Sequence, residues 1–265
     1  MYTLDLSGKT GVVFGVTNQR SIGWAIAERL SQAGARLAFG YQGERLRGTL
    51  EKLTASFSDP VLFPCDVTQD DELDAAFSTL GSEFGSLDYL VHAVAFAPPA
   101  TFEKPFYEVS RADWALAMDV SAYSLVAMAR RAQPMMNAGG GLLALSYLAA
   151  ERVVPHYNMM GVAKAALEAS VRFLAYDLGP QGVRVNAISA GPLRTVAARS
   201  ISGFGGMFET AGKLSMLRRN ITQEEVAGVA LSLLSTELGG GVTGETVYVD
   251  AGYHAMGMFL DAEDK

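Results

Sequence analysis

A single cysteine, Cys65, stands among the 265 residues. One thiol excludes a disulfide within the chain and fits a reducing compartment. Its place in the apolar run Val61 to Cys65 marks it as a small buried hydrophobe. Charge is also scarce, at 18% of residues against 49% hydrophobic. So lean a surface predicts that some of it is covered by self-association. The 21 basic residues are outnumbered by 28 acidic ones, giving a net charge of −7. That balance excludes a nucleic-acid binder. The three histidines, His92, His156 and His254, show no ligand spacing with one another or with Cys65, so no metal site is expected. The N-terminus has no apolar signal core, and no apolar run is long enough to span a bilayer. These absences predict a cytoplasmic protein with no membrane attachment. Repeats, low-complexity tracts and linkers are missing too, so residues 1–265 read as one domain with a sizeable core.

What is present is a regular alternation. Short β-branched or apolar runs (TGVVFG, ARLAFGY, VLFPC, LDYLVHAV, GLLALSY, VRVNAIS, ETVYVD) are separated by stretches of helical period. Ile22, Ile26, Leu30 and Ala33 form one helical stripe, ended by Gly34. Leu46, Leu50, Leu53 and Phe57 form the next, and Leu73, Phe77, Leu80 and Phe84 a third. Near-continuous apolar strands between helices predict a parallel sheet covered on both faces. The expected fold is α/β: a single doubly wound Rossmann domain on a seven-stranded parallel sheet.

Two stretches depart from this rhythm. A long helix is predicted from about Ser110–Asp113 to Asn137, apolar on most of its circumference through Leu116, Met118, Val120, Tyr123, Leu125, Val126 and Met128. One face would pack on the sheet and the other on a second copy, which predicts a homotetramer. Residues 191–219 are rich in Gly and Ser with scattered apolar residues, and predict a lid loop rather than a solvated one, because Phe204, Met207, Phe208 and Met216 lie in it.

Chemistry concentrates between Ser146 and Lys164. Tyr157 and Lys164 are seven residues apart, about two helical turns, so both leave one face. A cation beside a phenol favours the phenolate and sharpens the hydroxyl as a hydrogen-bond donor. Ser146 and Tyr147 end an apolar strand, where open α/β sheets bind ligands. Gly15, five residues and then Ser21-Ile22-Gly23 make a glycine turn feeding a helix start. Such a turn is a phosphate cradle or an ordinary strand-to-helix connection. Gln42 ends the second strand where an acid usually holds the adenosine ribose, which leaves NAD and NADP both open. Asp66 and Val67 end the third strand and suit either an adenine edge or a helix cap. The small residues from His92 to Ala97 would let a flat cofactor lie close to the backbone, and they suit a tight turn equally.

Taken together, these motifs resemble the short-chain dehydrogenase/reductases, and within them the divergent branch of bacterial NADH-dependent enoyl-acyl-carrier-protein reductases. The resemblance rests on Gly15-x5-Ser-Ile-Gly, on the FGYQ that ends at Gln42 and on Cys65-Asp66-Val67. It rests further on Tyr147-x9-Tyr157-x6-Lys164 and on VRVNAISAGPLRT at Val183 to Thr195. The six-residue gap is the discriminating mark, since ordinary members of the larger family have Tyr-x-x-x-Lys. The resemblance implies NADH as cofactor, held by Gly15, Ser21, Ile22, Gln42, Asp66, Val67, Val94, Lys164, Leu193, Arg194, Thr195, Val196 and Ala197. It implies that Tyr147, Tyr157 and Lys164 form the catalytic set and that Ala97 touches the acyl thioester. Phe204 and Met207 of the lid would cover the acyl chain. The partner implied is an acyl carrier protein bearing an enoyl thioester, whose trans-2 double bond takes a hydride from NADH. The family often has glycine where Ala95 stands, and the extra methyl would crowd whatever packs beside the nicotinamide. Two rival readings share the scaffold: a reductase of 3-oxoacyl thioesters or other ketones, and a dinucleotide sensor without catalysis.

Overall fold

The computed structural model describes residues 4–196, 198, 201 and 203–258. The first half of the chain runs β1 (Thr10–Phe14), α1 (Ile22–Gln32), β2 (Arg36–Tyr41), α2 (Glu44–Leu53), β3 (Val61–Pro64), α3 (Asp70–Phe84) and β4 (Leu87–His92). Then come α4 (Ala100–Glu103), α5 (Arg111–Met118), α6 (Ser124–Ala132), β5 (Met136–Ser146) and α7 (Asn158–Leu178). The last third is β6 (Arg184–Ala190), α8 (Phe204–Leu214), α9 (Gln223–Leu234), α10 (Thr236–Gly239) and β7 (Thr246–Val249). All seven strands are parallel, in the order β3-β2-β1-β4-β5-β6-β7.

Side-chain alternation along the strands builds two apolar layers. On β1, Val13 faces the layer of Ile26, Leu30, Val226 and Ala230, which belongs to α1 and α9. Its neighbours Val12 and Phe14 face the other layer, with Phe77, Leu125, Leu167 and Val171 from α3, α6 and α7. Pro64 has no N–H to give a neighbour, and β3 is an edge strand, where that costs least. The chain moves outward from β1 to β3 and then crosses back to β4. The strand order therefore reverses between β1 and β4, and a crevice opens at their C-terminal ends.

Three local outcomes differ from the sequence expectation. The long helix is broken into α5, a π-helical turn at Asp119–Tyr123 and α6, and it stops before Pro134 rather than at Asn137. Met136 and Asn137 already belong to β5, with Met136 opposite Leu87. Its apolar circumference also has two uses: Leu116 and Val120 line a cleft beside Gln42 and Asp66, whereas Trp114 and Tyr123 point to solvent. Finally, the supposed loop 191–219 contains the helix α8.

Candidate active site

The crevice between β1 and β4 holds a cleft of about 500 Å³. Its floor is built on Gly15, which has φ +95°. A Cβ at Gly15 would stand 2.1 Å from the Ala93 carbonyl oxygen, so only glycine lets the β1 turn pass β4 here. Ser21 caps α1 and turns its hydroxyl back on the turn, accepting from the Thr17 and Asn18 amides at 3.1 and 3.2 Å. The first amides of α1 have no acceptor within the helix, and they face the turn with the positive end of the helix dipole. These are the features of an anion cradle.

Gln42 and Asp66 meet on the far side of this cleft, where Gln42 Nε2 donates to Asp66 Oδ2 at 2.7 Å. Burial pushes the Asp66 carboxyl up, but hydrogen bonds from the Thr68 amide and hydroxyl and from Gln42 outweigh it and hold the group below its usual range. Val67, Val94, Thr195 and Val196 line the same cleft.

A second cleft of about 250 Å³ adjoins the first and shares Ile22, Ala95, Phe96 and Thr195 with it. Its wall is mainly apolar and includes Ala97, Tyr147, Tyr157, Phe204 and Met207, all five of the residues predicted to touch substrate. The two phenol rings stand side by side, centroids 4.8 Å apart. Tyr157 caps α7 between His156 at φ +66° and Asn158 at φ +36°. Two non-glycine residues in left-handed backbone cost on the order of 1–3 kcal/mol each and persist only when their surroundings demand it. Asn158 Nδ2 supplies that demand by donating to the carbonyls of Thr101 and Lys104, at 3.0 and 2.9 Å. Neither His156 nor Asn158 is singled out by the sequence, because nothing in a single chain marks a positive φ.

Lys164 is buried, and its Nζ donates to the Leu145 carbonyl at 2.6 Å. Burial lowers its pKa to about 8, with Glu168 acting in the opposite direction. The expectation that Lys164 favours a Tyr157 phenolate needs correction. Burial, and then Tyr147, push the Tyr157 hydroxyl well above its ordinary range, the opposite of the direction in which a neighbouring cation would drive it. Tyr157 therefore stays protonated at neutral pH and acts as a donor. Tyr147 is also raised, to about 12, by burial and then by Tyr253 and Asp250.

The structure does not bring every predicted cofactor residue to the first cleft. Leu193 lines the second cleft, and Arg194 lays its guanidinium over the Phe208 ring at 4.4 Å. Lys164 reaches the first cleft's wall only through Leu145. Ala197 lies outside the described residues. Among the described residues no cluster of His, Cys, Asp or Glu is arranged to hold a metal ion.

The comparisons with known proteins agree with one another. The profile of the family described as enoyl-(acyl carrier protein) reductase matches residues 15–254. The enoyl-acyl-carrier-protein reductase (NADH) of Bacillus cereus is 49% identical over 254 residues, covering 95% of this chain and 99% of that one. A Bacillus cereus enoyl-acyl carrier protein reductase solved with NADP+ and indole naphthyridinone superposes with a TM-score of 0.93 at 48% identity, covering 97% of this chain and all of that one. A reductase of the same name from Anaplasma phagocytophilum, solved with NAD, gives 0.92 at 46% identity, covering 97% of this chain and 98% of that one. With a family match across most of its length and relatives at nearly half identity, this chain belongs to the enoyl-acyl-carrier-protein reductase family.

Proposed function

We propose that this chain reduces the trans-2 double bond of enoyl thioesters carried on acyl carrier protein, using NADH, in fatty-acid elongation. The carrying observation is that an anion-cradling cleft and an apolar cleft meet at Ala95, Phe96 and Thr195 beside Tyr157. The residues fit a dinucleotide: a glycine turn that a single Cβ would close, free helix-start amides and a polar pair, Gln42 and Asp66, at the far end. Gly15, Ser21 and Ile22 would hold the diphosphate, Gln42 and Asp66 the adenosine end, and Lys164 the ribose near the reacting ring. When bound, NADH supplies the hydride that goes to the β-carbon of the substrate.

The chain's own residues do the rest. Tyr157, kept protonated by its burial, donates a hydrogen bond to the thioester oxygen, where negative charge grows. Lys164, anchored on the Leu145 carbonyl, orients the ribose. Tyr147 packs on Tyr157 and fixes its ring. Phe204 and Met207, on a lid spanning about 191–219, exclude water from the acyl cleft.

Incubation with NADH and a crotonyl thioester, or a 3-oxoacyl thioester, while following the reduced-nicotinamide absorbance tests the reading. Oxidation with the enoyl substrate alone supports it. Oxidation with the oxoacyl substrate identifies a carbonyl reductase, and binding without turnover a sensor.

The working form is proposed as a homotetramer in the cytoplasm. Phe173 and Tyr176 on α7 are 73% and 79% exposed, and Trp114 on α5 and Tyr123 in the π-helical turn are also exposed. A second copy would cover them. Light scattering that gave a monomer mass at micromolar concentration overturns the tetramer. Among the described residues no helix is long and apolar enough to cross a membrane.

A further inference from the structure

Behind the two tyrosines lies a buried pair that the reading above does not use. Ser146 ends β5, and its hydroxyl donates to Glu168 Oε1 at 2.5 Å. Glu168 stands one helical turn beyond Lys164 on α7, and Ser146, Lys164 and Glu168 are each no more than 6% exposed. Lys164 Nζ meanwhile donates to the carbonyl of Leu145, the residue before Ser146. Two successive turns of α7 thus grip two successive residues of β5, and the next residue is Tyr147.

The charges fit the same pattern. A buried ammonium with only a neutral carbonyl for a partner is costly. The opposite charge on the next turn is Glu168, and its influence raises the Lys164 pKa against the burial that lowers it to about 8. From β4, His92 faces Lys164, but its imidazole is neutral and adds no charge. Glu168 is itself raised by burial and opposed by the Ser146 hydrogen bond. Glu151, on the turn after β5, raises it further, while Arg172 and Lys164 on α7 lower it. Tyr248 on β7 also lies within electrostatic reach of Glu168.

We propose that Glu168 is a positioning residue for the reductase reaction: it keeps Lys164 in its ammonium form and, through Ser146, holds the strand end that carries Tyr147. The inference rests on the proposed role of Lys164 in binding the cofactor ribose. A glutamate here would then set the pH range over which the nucleotide is held, without touching nucleotide or substrate.

The first measurement needs no cofactor. NMR titration of the Lys164 side chain, assigned with Lys164→Met, gives its midpoint in the wild type and in Glu168→Gln. The amide keeps the shape and an acceptor for Ser146 but carries no charge. A midpoint about one pH unit lower in Glu168→Gln is expected, with the wild-type value restored in Glu168→Asp. The second measurement is NADH affinity against pH, read from nucleotide fluorescence. Binding by Glu168→Gln should match the wild type at pH 6, where the amine is protonated in both, and be about fivefold weaker at pH 8. Should Glu168→Gln not fold, Ser146→Ala takes its place, since losing the hydrogen bond shifts Glu168 toward its neutral form and lowers the Lys164 midpoint in the same direction. An unchanged Lys164 midpoint, whatever happens to thermal stability, overturns the proposal and leaves Glu168 a packing residue. A shifted midpoint in a protein that binds no NADH supports the electrostatic role while refuting the proposed cofactor.

Discussion

Tyr147 and Tyr157 pack ring against ring at 56° although they come from different elements, one following β5 and the other capping α7. Their roles separate on geometry. Both hydroxyls are raised by burial and stay protonated, and Tyr157, at the start of the helix that carries Lys164, is the one assigned to donate a hydrogen bond into the acyl cleft. Replacing it by Phe removes only that bond. Tyr157→Phe should lower turnover roughly 10–10³-fold while NADH affinity stays within about twofold. Lys164→Ala should instead weaken NADH binding itself. Wild-type turnover and affinity in both variants, by steady-state kinetics and fluorescence titration, sink the assignment.

His92 gives a prediction about acid stability. The Ser124 hydroxyl donates to the Val120 carbonyl at 2.7 Å, so the 2.7 Å contact between His92 Nε2 and Ser124 Oγ requires the imidazole to donate from Nε2. Burial, and then Lys164, lower its pKa to about 3. The unfolded chain has a histidine pKa of about 6.5. Above that value neither state is protonated and His92 contributes no pH dependence. Below it the unfolded state takes up a proton that the native state refuses, so stability falls as pH falls toward 3. Between pH 7 and 5 the loss from this one group should be about 2 kcal/mol. Urea unfolding of wild type and His92→Asn at both pH values isolates it, and equal pH slopes in the two proteins contradict it.

The elements that sequence reasoning read well are those whose own residues decide them. The strands carry β-branched or apolar runs, and α9 opens with the capping box of Thr222 and Glu225. The helix α8 was not legible because Gly205, Gly206 and Gly212 give it poor intrinsic propensity. Apolar residues such as Phe204 and Met207, packed toward the second cleft, favour it instead. The start of β5 was hidden because Met135, Met136 and Asn137 continue a helical pattern, and only the pairing of Met136 with Leu87 makes them strand. In the site, Tyr157 and Lys164 could be found because their spacing is local. The bond from Ser146 to Glu168 joins residues 22 apart in sequence and shows no periodic signature.

Cofactor choice should turn on the contact between Gln42 and Asp66. A carboxylate held ionised and 2.7 Å from the Gln42 amide places negative charge at the adenosine end of the cleft. Such a charge repels a 2′-phosphate and tolerates a 2′-hydroxyl. Of the nearby cations, Arg47 is engaged by Glu51 at 3.0 Å and lies 3.8 Å from Glu44. NADH should therefore be preferred over NADPH, and Asp66→Asn should narrow the gap about tenfold. Equal kcat/KM for the two cofactors in the wild type refutes this account, and so does an Asp66→Asn variant with an unchanged ratio.

The carrier protein poses the last question, since acyl carrier proteins as a class are acidic and this chain has a net charge of −7. Repulsion over most of both surfaces has to be overcome by a local patch of the opposite sign. Residues 194–219 hold Arg194, Arg199, Lys213, Arg218 and Arg219 against the single acid Glu209. The structure narrows the set. Arg219 is matched by Glu225 at 2.6 Å, Arg194 is occupied with the Phe208 ring, and Arg199 lies outside the described residues. Lys213 lies in the last turn of α8, and Arg218 folds back to donate to its carbonyl at 2.8 Å, which brings the Arg218 guanidinium to the end of the same helix. A carrier drawn there would arrive at the acyl cleft covered by Phe204 and Met207. Lys213→Glu combined with Arg218→Glu should lower kcat/KM for the carrier-bound substrate about tenfold at low salt and flatten its salt dependence. A short coenzyme A or cysteamine thioester, which needs no docking surface, should react as before. Equal loss with both substrates would mean that these residues act in folding or in the lid's closure and not in docking.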